Sequence, residues 1–399
     1  MIDYNLYLNN NIKKIKPSGI RRFFDIANQM DDVISLSIGE PDFATPFHIR
    51  QAAIDSLEKG QTWYTPNRGF ADLRNEISKY FLRRFDVSYN PSDEVLVTVG
   101  GSEAIDLCVR ALVNPGEEVL VPQPSFVCYS PIAEMTGATP VIIDTKEENK
   151  FKLTKDDLER HITEKTKLLI LPYPNNPTGA VLTKEELAEI AKVVKKHDLF
   201  VMSDEIYAEL SYLDERYTTF SKIEGMRERT VVVSGFSKSY AMTGWRLGYA
   251  LGPKEIISQM TKLHQFAIMS APTTSQYAAI EALKNGDQDI ENMRTKYDMR
   301  RRFLVSELNK MGLRCFNPEG AFYVFPCIKS TGLSSEEFCK QLILKKHVAI
   351  IPGTAFGKSG EGYVRISYSY SLAHIEKALK RIKSFLEDLK SGGNNGSNS

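Results

Sequence analysis

Cysteine is scarce in this 399-residue chain, and the five present, Cys108, Cys128, Cys315, Cys327 and Cys339, are odd in number and fall in no C-x-x-C pair. That pattern argues against a disulfide-stapled scaffold and a cysteine-based zinc site, and it suits the reducing cytoplasm. Histidine is nearly as scarce: of six residues, no two stand at the H-x-x-x-H spacing that places two metal ligands on one helix face. Charge of one sign is missing as well. With 51 basic residues against 50 acidic, for a net of +1, no broad field recommends nucleic acid or an anionic membrane, and a small molecule is the expected ligand. No apolar run approaches the ~18 residues needed to span a bilayer. The N-terminus, Met1-Ile2-Asp3-Tyr4, opens polar and turns basic without the apolar core of a signal peptide.

What is present is the material of a large globular protein: 42% of residues are hydrophobic and 25% charged, enough to bury a sizeable core. Domains usually run to ~100–200 residues, so two are expected. Short apolar, mostly β-branched runs at 94–99, 118–121, 140–143, 167–171, 199–202 and 230–234 are separated mainly by helical stretches. This rhythm predicts an α/β fold with an open, largely parallel sheet. Thr183 with Glu186, and Ser334 with Glu337, stand at capping-box spacing and mark two helix starts. From about Gly286 the pattern changes to a long charged helix through about Met311, then strands near 321–325, 348–351 and 363–366, and a closing helix to about Leu389. The expected division is an N-terminal arm (1–46) packing with a smaller α+β domain (286–390), a large domain (47–285), and a polar tail (391–399) too poor in apolar groups to order. No internal repeat or heptad pattern is present.

The densest chemistry lies in the stretch from Ser234 to Tyr249, which follows the apolar run Val231-Val-Val233 and contains Lys238 and Arg246. Lysine forms imines with carbonyls, best when burial or a nearby cation lowers its pKa. A lone lysine after a strand is more often an exposed loop residue, so its neighbours decide the matter. Asp204 ends the run Val201-Met-Ser-Asp204, placing a carboxylate at the carboxyl edge of the sheet, where open α/β sheets bind ligands. It would equally serve as the cap of a following helix, with Tyr207 three residues on. Pro172-Tyr-Pro-Asn-Asn-Pro-Thr-Gly179 ends another buried strand in a tight turn, a role that Asn176 and Pro177 fill with or without a ligand. Gly100-Gly101-Ser102 opens a helix whose first amides can hold phosphate, although Gly-Gly before a helix is commonly just a turn. Arg365, inside the apolar run Val364-Arg-Ile366, needs an anionic partner: a substrate carboxylate, or a structural Asp or Glu.

Together and in order, Ser-Lys-x-x-x-x-x-Gly-x-Arg around Lys238, Asn-Asn-Pro-Thr-Gly, Asp204-x-x-Tyr207 and Arg365 resemble the class I aminotransferases of fold type I, in the branch of aspartate, aromatic and N-acetyl-diaminopimelate aminotransferases. The resemblance spans residues 18–389 and implies pyridoxal 5'-phosphate as cofactor. It implies that Lys238 carries the cofactor as a Schiff base and moves the substrate Cα proton, and that Asp204 pairs with the pyridinium nitrogen. It further implies that Tyr207 and Asn176 bond the ring's phenolate oxygen, and that Phe126 stacks on the ring where some relatives use tryptophan. Gly101, Ser102, Ser237 and Arg246 would hold the phosphate, joined by Tyr64 from a partner subunit, so that a homodimer with shared sites is implied. Some relatives place a further phosphate-binding serine where this chain has Gly235. Arg365 would clamp the substrate α-carboxylate, with Gly39 and Asn176 assisting, and the Asn176-Pro177 peptide would be cis. Arg21, Arg22, Phe23 and Phe24, with Ile20, lie in an arm expected to cover the site and to admit acidic or aromatic side chains, making aspartate or an aromatic amino acid the expected donor and 2-oxoglutarate the expected acceptor. The same residues would serve a carbon–sulfur lyase. A ligand-sensing regulator with this domain is disfavoured by the near-neutral charge and the missing DNA-binding segment.

Overall fold

A computed structural model of the chain describes residues 2–17, 19 and 30–394. The first strand, β1 (Ile34–Ser35), belongs to a small sheet described below. The main sheet collects β2 (Val95–Thr98), β3 (Glu118–Gln123), β4 (Thr139–Asp144), β5 (Thr166–Leu171), β6 (Phe200–Asp204), β7 (Thr230–Gly235) and β8 (Gly248–Leu251) in the order β2-β8-β7-β6-β5-β3-β4. Pairings from β4 through β7 are parallel, as the alternating pattern predicts, whereas β8 runs antiparallel to both β7 and β2. Gly248-Tyr-Ala-Leu251 is four residues long and follows the lysine segment without an intervening long helix, so it carries little strand signal of its own. In β7 every residue is buried, Val231, Val232 and Val233 completely. Burying each valine stabilises the sheet by about 1.5–3 kcal/mol, and a run apolar on both faces fits a central strand covered on both sides.

Helices pack against both faces. Lys184–Lys196 starts in a complete capping box, with Thr183 and Glu186 each bonding the other's backbone amide. Ser334 likewise accepts from the Glu337 amide, but the Glu337 side chain accepts instead from Gln341, leaving that box half-made. In the long helix Asp287–Lys310, Ile290, Met293, Tyr297, Arg301, Leu304 and Leu308 form the buried stripe at three- and four-residue spacing. It packs with β9 (Tyr323–Val324), β10 (Val348–Ala349), β11 (Ile351–Pro352), β12 (Val364–Ser367) and the closing helix Leu372–Asn394 around one apolar cluster, which also takes in Ile34 and Leu36. β1 pairs in parallel with β10, and β12 lies between β11 and β9, antiparallel to both. The closing helix continues to Asn394, past Lys390 and into the segment expected to be a polar tail.

Candidate active site

The parallel strands deliver their following residues to one edge of the sheet, where a cavity of about 400 Å³ opens. β2 leads to Gly101 and Ser102, β3 to Phe126, β5 to Asn176, β6 to Asp204 and Tyr207, and β7 to Ser237 and Lys238. β12, in the three-stranded sheet, contributes Arg365, and the segment after β1 contributes Gly39. Every residue expected to hold cofactor or substrate lines this cavity except Tyr64.

Lys238 lies in the single helical turn Phe236–Ser239 after β7, and its Nζ donates to the carbonyl of Gly39 at 2.6 Å. Burial brings its pKa down to about 8; Arg365 and Arg246 push the same way, while Glu40 and Asp204 oppose. An amine so placed is partly unprotonated near neutral pH, as a nucleophile and proton carrier must be. Asp204 is buried and pairs with no cation among the described residues; its Oδ2 accepts from the Tyr129 hydroxyl at 2.7 Å and its Oδ1 from the Ile206 amide at 3.2 Å. Burial raises its pKa, and those two bonds, with Lys238, counter the rise. No long helix follows Asp204; Tyr207 lies in a turn before the short 3-10 helix Ala208–Leu210, so the helix-cap reading does not hold.

At the other end, Gly100 takes φ +76° as the chain turns into the helix Gly100–Leu112, aiming the first-turn amides at the cavity. The exposed Arg246 guanidinium stands beside this turn, so close that a Cβ on Gly100 would lie 2.8 Å from its Nη2. A helix N-terminus with an arginine and the Ser237 hydroxyl could hold a phosphate. Gly235 adds nothing to it: a Cβ there would sit 2.9 Å from the Cα of Gly248, so packing between β7 and β8 excludes the serine found in some relatives.

Arg365 is buried between the rings of Tyr323 and Phe356, 4.5 and 4.8 Å from their centroids. It donates to Asn176 Oδ1 at 3.0 Å and to the Ser37 carbonyl, but no carboxylate pairs with it among the described residues, and its Nε has no partner. The structural Asp or Glu considered for it is therefore absent among them. The Tyr207 hydroxyl lies 2.8 Å from that of Tyr323, whose oxygen would stand 2.2 Å from a Cβ on Gly39. This explains why position 39 is glycine. The Asn176-Pro177 peptide is cis, as expected, and so are Gln123-Pro124 and Tyr173-Pro174.

Tyr64 does not line this chain's own cavity and is 79% exposed, next to Trp63. Ile20, Arg21, Arg22, Phe23 and Phe24 lie outside the described residues. Sequence reasoning missed Tyr129 and Tyr323 because their partners, Asp204 and Tyr207, lie 75 and 116 residues away and no local pattern links them.

An open α/β sheet with a lysine of lowered pKa, a buried carboxylate and a helix N-terminus beside an arginine at one edge fits a group-transfer enzyme that works through an amine. Residues 31–382 match the family model for aminotransferase class I and II, and the chain belongs to that family. It is an aminotransferase, and its architecture is fold type I. It is 53% identical to the putative aminotransferase YugH of Bacillus subtilis, over 95% of this chain and 98% of that one. It is 46% identical to an aspartate aminotransferase of Pyrococcus abyssi, covering 94% and 97% of the two chains. Among solved structures, an aromatic aminotransferase from Pyrococcus horikoshii superposes with a TM-score of 0.88 at 44% identity, over 92% of this chain and 99% of that one.

Proposed function

We propose that the protein uses pyridoxal 5'-phosphate to move an amino group from an L-amino acid, aspartate or an aromatic one, to a 2-oxo acid such as 2-oxoglutarate. The observation that carries this is one cavity holding four unmatched partners for that cofactor and substrate: the phosphate cup, the unpaired Asp204, the activated Lys238 and the unpaired Arg365. The residues present fit the group. A buried carboxylate without a cation suits a protonated ring nitrogen, and the Tyr207 hydroxyl with Asn176 suits a phenolate oxygen. When bound, the cofactor supplies a carbonyl that captures amines and a ring that accepts the electron pair released at the substrate Cα.

The chain's own residues do the rest. Lys238 Nζ takes the Cα proton from the donor amino acid and, in the second half of the cycle, gives one to the Cα of the amino acid formed from the oxo acid, a shuttle that its lowered pKa favours. Arg365 holds the α-carboxylate of both amino and oxo acids with a fork already oriented by Asn176 and Ser37. Aspartate and aromatic donors are proposed because the similar proteins include enzymes named for each. None of these relatives is named as a lyase, so the carbon–sulfur reading is not favoured. Conversion of the bound cofactor to its amine form by a panel of amino acids, and its return by 2-oxo acids, tests the reading; a panel with no such cycle would refute it.

The working form is proposed as a homodimer with shared sites, supported by the exposure of Tyr64 and Trp63 and of Phe266, which is 87% exposed. A mixture of Tyr64→Ala and Lys238→Ala proteins tests it, because each hybrid dimer rebuilds one intact site. Activity no greater than the sum of the separate variants would refute sharing. A cytoplasmic location is supported by five unpaired cysteines, and no helix among the described residues is long and apolar enough to cross a membrane. The division into arm, large domain and small domain is supported by the separation of the seven-stranded sheet from the two small sheets and by the pairing of β1 with β10.

A further inference from the structure

The turn from β2 into the helix Gly100–Leu112 is held from several sides. Thr98 Oγ1 donates to the Gly100 carbonyl at 2.9 Å. A Cβ on Gly248 would lie 2.6 Å from both the Gly100 carbonyl carbon and the Gly101 nitrogen, so β8 packs directly against the turn. A third constraint comes from Glu103, one residue beyond Ser102. Its Oε2 accepts the amide of Val99, and its Oε1 lies 2.7 Å from Nδ1 of His264. A carboxylate only accepts, so Nδ1 carries the hydrogen.

His264 sits in the helix Lys254–Ala267, which packs along Gly100–Leu112. It is completely buried, and its Nε2 has no partner among the described residues. An imidazole with one nitrogen unpaired is a poorer core residue than leucine. The bond from its other nitrogen is what a leucine could not make. Neither Glu103 nor His264 lines the cavity.

We propose that the Glu103–His264 pair is a positioning device for the phosphate cup, setting how tightly the protein holds a phosphorylated cofactor without taking part in amino transfer. The proposal rests on the cofactor reading above. A carboxylate bonded at once to Val99 and to a buried imidazole ties the first turn of the helix to its neighbour, so the amides of Gly101 and Ser102 stay aimed at one point. The Glu103 charge also stands next to an anion site, and the His264 N–H draws that charge away from it. His264 has a second connection. Its carbonyl accepts from the amides of Ile268 and Met269 at 2.9 and 3.0 Å, and the Met269 carbonyl accepts from Asn67 Nδ2 at 2.8 Å, in the loop that carries Tyr64. One residue thus ties the phosphate cup to the loop proposed to reach the partner's phosphate.

The test titrates cofactor-stripped protein with pyridoxal 5'-phosphate and, separately, with pyridoxal, which lacks the phosphate, following the absorption band of the lysine-bound form. His264→Leu removes the donor, whereas His264→Asn keeps an N–H near the position of Nδ1. The expected result for His264→Leu is a loss of about tenfold in affinity for the phosphorylated cofactor, as for one charge-assisted hydrogen bond. Pyridoxal binding and kcat at saturating cofactor should be unchanged, and His264→Asn should restore most of the affinity. Glu103→Gln keeps an acceptor for the Val99 amide but weakens the bond to His264 from the other side and gives a phosphate-specific loss in the same direction, which keeps the test open if the leucine variant does not fold. Wild-type affinity in both His264→Leu and Glu103→Gln, or equal losses for the two ligands, would overturn the proposal. A wild-type protein that develops no band with either ligand would overturn the cofactor reading instead.

Discussion

The hydroxyl of Tyr129 donates a 2.7 Å hydrogen bond to Oδ2 of Asp204, and both groups are buried. Burial favours the neutral acid at Asp204, and this bond pulls the other way, towards the carboxylate that a cationic ring nitrogen needs. Tyr129→Phe removes that support with little change in volume. A hydrogen bond to a charged group contributes about 1.5–3 kcal/mol, so kcat/KM should fall at least tenfold, by roughly the factor that 1.4 kcal/mol represents. The Asp204 pKa rises further in the variant, which moves the acidic limb of the pH–rate profile to higher pH. A profile that keeps its acidic limb in place would show that the bond does not govern this carboxylate.

Lys238 makes a separate prediction about pH. Its pKa is lowered to about 8, chiefly by burial. At pH 7 roughly a tenth of the amine is then unprotonated, against well under a thousandth for an unshifted lysine. Capture of added cofactor by the stripped protein should accelerate with rising pH and level off just above pH 8. Acceleration that continues to pH 10 would place the amine in ordinary solvent. Lys238→Ala should remove both turnover and the lysine-bound absorption band while leaving the fold intact.

For Arg365, function and stability should separate. The guanidinium is buried, unpaired by any carboxylate among the described residues, and has one unpartnered nitrogen. Arg365→Leu removes the clamp proposed for the carboxylate common to amino and oxo acids, so KM for both should rise about 10- to 100-fold. The melting temperature should hold or increase, because a buried charge awaiting its ligand costs stability. Steady-state kinetics beside calorimetry decides it; a large fall in melting temperature with unchanged KM would make Arg365 a structural residue.

Beside Asp204, Glu205 is buried in a nest made by Ser203 Oγ, Thr219 Oγ1 and the Phe220 amide, and its pKa is pushed up to about 7, mainly by burial. A carboxyl with a raised folded-state pKa contributes stability that is fully present below its unfolded pKa, near 4.3, and is lost as pH rises through about 7. Glu205→Gln stays neutral throughout. Relative to the variant, the wild type should lose stability between pH 5 and 8, by on the order of 3 kcal/mol for a pKa displaced this far. Denaturant melts of the two proteins at both pH values measure this difference, and parallel behaviour would rule it out.

Much of the site was legible because its residues follow strands. The apolar runs of β2, β5, β6 and β7 are each followed within a few residues by glycine or a polar group, and parallel connection brings these ends to one edge, so Gly101, Asn176, Asp204 and Lys238 could be found from local pattern and order. β8 was not legible. Four residues carry too little periodicity, and their antiparallel insertion between β2 and β7 depends on long-range pairing. The half-made capping box at Ser334 has a similar cause: spacing allows the reciprocal bond, but Gln341, one turn further on, takes the carboxylate.

The chain's order of residue types by itself determined the fold class and the family, and singled out the lysine proposed as reactive, because strand periodicity and motif spacing are local properties written along one dimension. Only the tertiary structure decided what each of those groups experiences. It set Tyr129 against Asp204, Tyr323 against Tyr207 and Gly39, and His264 behind the phosphate cup, and it left Arg365 without a carboxylate among the described residues. The reason is physical: pKa, burial and hydrogen-bond partnership depend on distances between residues brought together by folding, and sequence separation places no useful bound on those distances.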